Sequence, residues 1–183
     1  MKRKRTNWAN VLTWTRPALI LPITIAAYLD AKWTVLALFV TAMLTDFFDG
    51  YIARKTGVAS EKGARFDSTV DNTMLPFFIA WLWLLFPVLF MDFWPWIVLM
   101  VGLIVLQLLV AKWKLGTVTG LHLWSDKLSA VGGFILLPTL IIFGYVAWLI
   151  WLVLLISYYA SIEGILYLLK GGKNLDARFF WDP

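Results

Sequence analysis

Four aspartates carry the clearest chemistry in this sequence. Asp46, Asp49, Asp67 and Asp71 lie in TDFFDGYIARKTGVASEKGARFDSTVD, residues 45–71 of a chain that is otherwise strongly apolar. Positions 46, 49 and 53 are spaced by three and then four, which on a helix puts them on one face. Asp67 and Asp71 are four apart, open a second apolar stretch and share a face in the same way. Two antiparallel helices joined by a short loop containing Gly57 and Gly63 would bring both carboxylate pairs to one depth. Carboxylates this close cannot all stay ionised without a counter-charge. An oxygen-only donor set suits a hard divalent cation, Mg²⁺ or Mn²⁺. Two such ions bridged by carboxylates are an arrangement for phosphoryl chemistry. Gly50 and Ala53, nearly without side chains, leave room on that face for a group as bulky as a nucleotide pyrophosphate, and Arg54 can pair with a phosphate. A helix macrodipole would by itself favour Asp67 and Asp71 at a helix start, but it opposes Asp46 and Asp49 near a helix end.

The elements that must position these groups are membrane-like. Of 183 residues, 61% are hydrophobic, and the mean hydropathy is +0.79, above the roughly half-apolar composition of a soluble domain. The pattern predicts an all-α integral membrane protein with six transmembrane helices over residues 15–31, 33–54, 68–91, 93–112, 127–145 and 147–169, each near the ~20 residues a span requires. Residues 1–183 then form a single membrane domain, with a retained basic interfacial segment over 1–14 and an interfacial tail over 170–183. Twelve tryptophans suit helix ends at membrane interfaces. The chain has no cysteine, which excludes disulfides and thiolate metal sites, and its one histidine, His122, excludes a multi-histidine zinc site. Every one of the 16 lysines and arginines except Lys32 falls on one side of this topology. Both termini and the aspartates are therefore expected in the cytoplasm, at headgroup depth, in a multi-pass protein of the cell (inner) membrane. No nucleic-acid partner is expected.

The aspartate stretch resembles the signature of the CDP-alcohol phosphotransferase (CDP-alcohol phosphatidyltransferase class-I) family, D-x2-D-G-x2-A-R-x8-G-x3-D-x3-D. Here it reads Asp46, Asp49, Gly50, Ala53, Arg54, Gly63, Asp67, Asp71, with every fixed position and gap matched. NVLTWTRP at 10–17 is similar to the family's entry to its first span. The resemblance implies transfer of a phosphatidyl group from CDP-diacylglycerol to an alcohol acceptor with release of CMP, in glycerophospholipid synthesis. Carried over by position, Asp46, Asp49, Asp67 and Asp71 hold two metal ions, and Asp71 is also the general base for the acceptor hydroxyl. Gly50, Arg54 and Ser60 contact the CDP-lipid, with Ala53 and Gly63 leaving it space. Asn10 and Thr13 close over the nucleotide, and Arg16 is a phosphate contact. Lys127 stands where relatives carry a G-K motif and would bind an acceptor phosphate, although Asp126 replaces the glycine. The family also implies a homodimer, and Gly132 and Gly133 in the fifth span permit close helix packing.

The acceptor stays open. The cytoplasmic lysines favour an anionic one such as glycerol 3-phosphate, making the chain most like a phosphatidylglycerophosphate synthase. The alternatives are an inositol-, serine- or phosphatidylglycerol (cardiolipin)-type acceptor, because DSTVDN at 67–72 mixes the patterns of these branches. Outside the enzymes, a divalent-cation transporter would place carboxylates near the bilayer midplane, and a membrane scaffold would tolerate alanine at all four aspartates. Lys112, Lys114 and His122 are expected at the interface, Glu163 to cap or pair within the bundle, and WLWLLF at 81–86 to face lipid or pack helices.

Overall fold

Helix breakers divide the apolar sequence into six pieces. The computed structural model describes the backbone of residues 8–55, 61–116, 121, 123–172, 177 and 179–181, and the side chains of 17–45, 73–116, 121, 123–172, 177 and 179–181. In order the helices are α1 (Trp8–Tyr28), α2 (Lys32–Lys55), α3 (Glu61–Leu85), α4 (Pro87–Leu115), α5 (Trp124–Phe143) and α6 (Ala147–Leu169), with no strand among the described residues. The expected boundaries shift in three places. α1 begins seven residues before the expected span. α3 begins at Glu61, so Gly63 is helical and not part of a loop. The break between α3 and α4 falls at Phe86, ahead of Pro87, and not near Asp92. A proline in the first helical position costs nothing, because its missing N–H would have no intrahelical acceptor there. Among the described residues, three helices, α4, α5 and α6, are long and apolar enough to cross a membrane.

The chain forms two compact units, Met1–Phe86 and Pro87–Pro183. In the first, α1 packs against both α2 and α3. The α1–α2 turn is closed by Ala31 N–H donating to Ala26 O at 2.9 Å and by Asp30 N–H donating to Ala27 O at 3.1 Å. Asp30 takes φ 52°, the left-handed conformation that lets a helix end and reverse. The core of this unit gathers on Trp81, which is fully buried and donates from Nε1 to Thr24 Oγ1 at 2.9 Å. Phe39 meets Trp81 edge-on at 6.4 Å and Phe78 at 6.0 Å between ring centroids.

In the second unit α6 packs against both α4 and α5. Its buried residues, Leu149, Ile150, Val153, Leu154, Ser157, Ala160, Ser161, Glu163, Gly164, Tyr167 and Leu168, follow the three-to-four spacing of a buried helix face. Small residues let α5 approach. The Ser129 and Ser157 hydroxyls are 2.8 Å apart, and a Cβ at Gly132 would stand 3.2 Å from Val153 Cγ2. Gly132 thus serves packing inside the chain, while Gly133 has open space around it.

Candidate active site

The motif aspartates occupy α2 and α3, and two described contacts fix how far along each helix they lie. Phe39 is 16 residues before the end of α2, and Phe78 is 17 residues after the start of α3. Their contact at matched distances from the 56–60 connection means that the helices run antiparallel. From that contact, Asp46 is seven residues further along α2 and Asp71 seven residues back along α3. At 1.5 Å per residue both lie about 10 Å from the Phe39–Phe78 pair. Seven residues are two turns less about 20°, so both positions stay on the contact face. Asp49 and Asp67, ten and eleven residues out, come about 15 to 16 Å along their axes, with Asp67 back on the contact face and Asp49 turned about 80° from it. The two carboxylate pairs are therefore paired by depth, Asp46 with Asp71 and Asp49 with Asp67.

Gly50 and Ala53 continue the Asp46 face at steps of four and three, and Gly63 lies one turn before Asp67 on its stripe. Asp67 and Asp71 sit in the second and third turns of α3, since the helix starts at Glu61. A macrodipole acts within the first turn, so it does not account for either aspartate.

α1 adds its own residues at the same depth. It runs in the same direction as α3, and Thr24 is hydrogen-bonded to Trp81. Fourteen residues back from each are Asn10 and Asp67, both about 21 Å from that bond. Thr13 falls level with Val70, and Arg16 with Thr73, just past Asp71. The backbones of α1, α2 and α3 thus bring the candidates to one end of the first unit. The side chains of Asn10, Thr13, Arg16, Asp46, Asp49, Gly50, Ala53, Arg54, Gly63, Asp67 and Asp71 lie outside the described residues, as do Ser60 and His122 entirely.

Lys127 belongs to the second unit. It is exposed in the opening turn of α5, with its ammonium 5.7 Å from the Trp124 ring centroid. Its neighbour Asp126, at the third helical position, accepts a hydrogen bond from the Leu123 backbone N–H and another from the Gln107 side chain. Leu123 offers no side-chain cap, so the carboxylate reaching back from the third position satisfies one of the free N–H groups of the helix start. This explains why an aspartate can stand where the family pattern has glycine. Lys112 and Lys114 are exposed at the end of α4, and Lys114 lies over the Trp113 ring at 4.6 Å. Glu163 is buried and accepts the Phe180 N–H at 3.2 Å, as expected of a residue that pairs within the bundle. Gln107, buried on α4 against Gly164, was not anticipated. Its signal is one polar residue in the apolar run IVLQLLV.

A family model described as CDP-alcohol phosphatidyltransferase matches residues 6–159. Over 72 residues, 38% of this chain, the sequence is 40% identical to a CDP-diacylglycerol–glycerol-3-phosphate 3-phosphatidyltransferase of Rickettsia felis, covering 40% of that protein. It is 42% identical over 69 residues, 36% of this chain, to a protein of the same name, numbered 2, from Arabidopsis thaliana, covering 29% of it. A third so named, from Cereibacter sphaeroides, is 36% identical over 110 residues, 55% of this chain and 48% of its own length. The matched stretches thus span less than half the length of these relatives. No solved structure matches.

Proposed function

The chain belongs to the CDP-alcohol phosphatidyltransferase family, and we propose that it transfers the phosphatidyl group of CDP-diacylglycerol to glycerol 3-phosphate. The acceptor hydroxyl oxygen forms a bond to the lipid-side phosphorus, the bond to the cytidylyl oxygen breaks, and CMP leaves. The products are CMP and phosphatidylglycerophosphate. The observation that carries this reading is the pairing by depth of positions 46 with 71 and 49 with 67, near one end of α2 and α3. Three relatives named for glycerol 3-phosphate support the acceptor. DSTVDN, which mixes acceptor patterns, leaves that assignment resting on them.

In this reading Asp46, Asp49, Asp67 and Asp71 hold two Mg²⁺ or Mn²⁺ ions. Four aspartate positions near one end of α2 and α3 would supply such ions with an all-oxygen donor set. When bound, the ions neutralise the pyrophosphate and stabilise the departing CMP. Asp71, kept ionised, accepts the proton of the acceptor hydroxyl. Arg54 pairs with a donor phosphate, Gly50, Ala53 and Gly63 leave space for the donor, and Ser60 contacts it. Asn10 and Thr13 close over the nucleotide, Arg16 meets a phosphate, and Lys127 binds the acceptor phosphate. Six spans, a cytoplasmic site at headgroup depth in the cell membrane, one functional domain over the chain and a homodimer complete the proposal. Such a depth leaves the acyl chains in lipid while cytidine reaches from water.

Purified protein given CDP-diacylglycerol, Mg²⁺ and single acceptors tests the substrate. Glycerol 3-phosphate is expected to yield phosphatidylglycerophosphate. A product formed from inositol, serine or phosphatidylglycerol, and none from glycerol 3-phosphate, would replace that acceptor.

A further inference from the structure

The described part of the C-terminal segment folds back onto the second unit. α6 ends in a reversal in which Gly172 N–H donates to Tyr167 O at 3.0 Å and Gly171 N–H to Leu168 O at 3.1 Å. Gly171 has φ 95°, open to glycine and strained for other residues. Gly172 lies so close to the Tyr167 ring that a Cβ there would run into it. Beyond this turn Ala177 is buried in a cluster with Ala111, Leu121, Leu123, Tyr167 and Leu168, and Phe180 packs against it. That cluster draws on the end of α4, the start of α5 and the end of α6, so the segment closes one end of the unit.

Glu163 is the polar part of this closure. A carboxylate buried in an apolar helix is costly unless it is hydrogen-bonded, and the described donor to it is the Phe180 N–H. The Phe180 ring faces inward, with the Lys170 ammonium 3.5 Å from its centroid. Its neighbours Phe179 and Trp181 stack on each other at 4.9 Å and face outward, Trp181 being 70% exposed. Trp113, 73% exposed at the end of α4, lies at the same end. So do the exposed Lys112, Lys114 and Lys170. At the other end of the unit, Asp92 accepts the Tyr145 hydroxyl at 3.0 Å, and no lysine or arginine stands there among the described residues.

We propose that the C-terminal segment is an interfacial anchor held by Glu163, and that Phe179, Trp181 and Trp113 with Lys112, Lys114 and Lys170 form a surface for anionic phospholipid headgroups. Amphipathic rings belong at headgroup level with their bodies in the acyl boundary. A cluster of ammonium groups at that level, with no exposed carboxylate beside it among the described residues, is complementary to lipid phosphate with net negative charge. The inference goes beyond the reaction and holds whichever acceptor the protein uses.

The chain has no cysteine, so Trp181→Cys in the full-length protein can carry a single environment-sensitive fluorophore. The labelled protein is placed in nanodiscs of phosphatidylcholine containing about one-third phosphatidylglycerol, an anionic content that attracts basic segments. Either lipid is supplied in brominated form as quencher. Brominated phosphatidylglycerol is expected to quench about fivefold more than brominated phosphatidylcholine at equal mole fraction, the ratio given by the attraction of one ammonium group to an anionic surface. Joint Lys112→Gln, Lys114→Gln and Lys170→Gln should abolish that difference while leaving the total quenching. Added inorganic phosphate should not change it, because the surface is for lipid and not for the free ion. Glu163→Ala should release the segment and lose the quenching, and Glu163→Gln should retain it, since the amide oxygen still accepts the Phe180 N–H. Gly172→Ala releases the segment without altering the buried side chain of Glu163 and should behave like Glu163→Ala. Equal quenching by the two lipids would overturn the anionic preference. A label that neither lipid quenches in the parent protein would overturn the anchor, and full quenching in both Glu163→Ala and Gly172→Ala would overturn the role of Glu163.

Discussion

Replacing Phe39 by alanine should disturb the candidate site from two turns away. The Phe39 ring is 4% exposed and meets Phe78 and Trp81, and those contacts set the depth at which α2 faces α3. In a soluble core a buried Phe→Ala change costs about 3–5 kcal/mol. Within a bilayer the transfer part shrinks, because lipid is as apolar as the pocket, and packing remains. Two lost ring pairs at about 1 kcal/mol each give about 2 kcal/mol, or a fall of about 4–8 °C in Tm for a chain of this size. CMP release should fall more than stability alone explains, by about 100-fold, since a 1 Å displacement of reacting groups has that effect. Phe93→Ala is the matched control. It also loses two ring pairs, with Trp151 at 5.3 Å and Tyr145 at 6.4 Å, but in the second unit. Thermal unfolding in detergent and CMP release well below Tm are measured for both. A similar Tm loss with a much larger activity loss for Phe39→Ala is expected. Equal activity losses, or activity within about twofold of the parent for Phe39→Ala, would refute the depth assignment.

Three further outcomes follow from the same geometry. Cysteines replacing Asp46 and Asp71 should be joined by a short thiol cross-linker. Cysteines at 46 and 78 should not, being about 10 Å apart along the axis. Gly132→Leu should drive α5 from α6 and lower Tm by about 2–12 °C, the range for overpacking by about 1–3 kcal/mol. Gly133→Leu, with open space around that position, should leave Tm nearly unchanged. Chelation of divalent cations should abolish CMP release, and Mg²⁺ or Mn²⁺ should restore it. Activity that persists in excess chelator would contradict the metal reading.

Much of this was legible in the sequence because its signals are local. The spacing of Asp46, Asp49 and Ala53, and of Asp67 and Asp71, survives on real helices, and the apolar runs produced helices in the expected order. Boundaries moved where a run of one character hid a break. Pro87 stands inside an apolar stretch, so hydropathy carried the third span across it. EKGAR is polar and holds a glycine, so it reads as loop although it opens α3. The pairing of Asp46 with Asp71 depends on Phe39 meeting Phe78, a contact between residues far apart in sequence that no local pattern encodes. For the same reason Asp126 read as a departure from a motif, when its hydrogen bonds to Leu123 and Gln107 give it a structural role at the start of α5. The tail reads from sequence only as an interfacial segment, because the contact of Phe180 with Glu163 joins residues 17 apart and leaves no local pattern.

CMP release from CDP-diacylglycerol with glycerol 3-phosphate, compared between the parent protein and Asp71→Asn, is the measurement that bears most directly on catalysis by the aspartates. Removing a general base is expected to slow release by about 10²–10⁴-fold, with the variant still folded and still binding the CDP-lipid. Equal CMP release by parent and variant would contradict it.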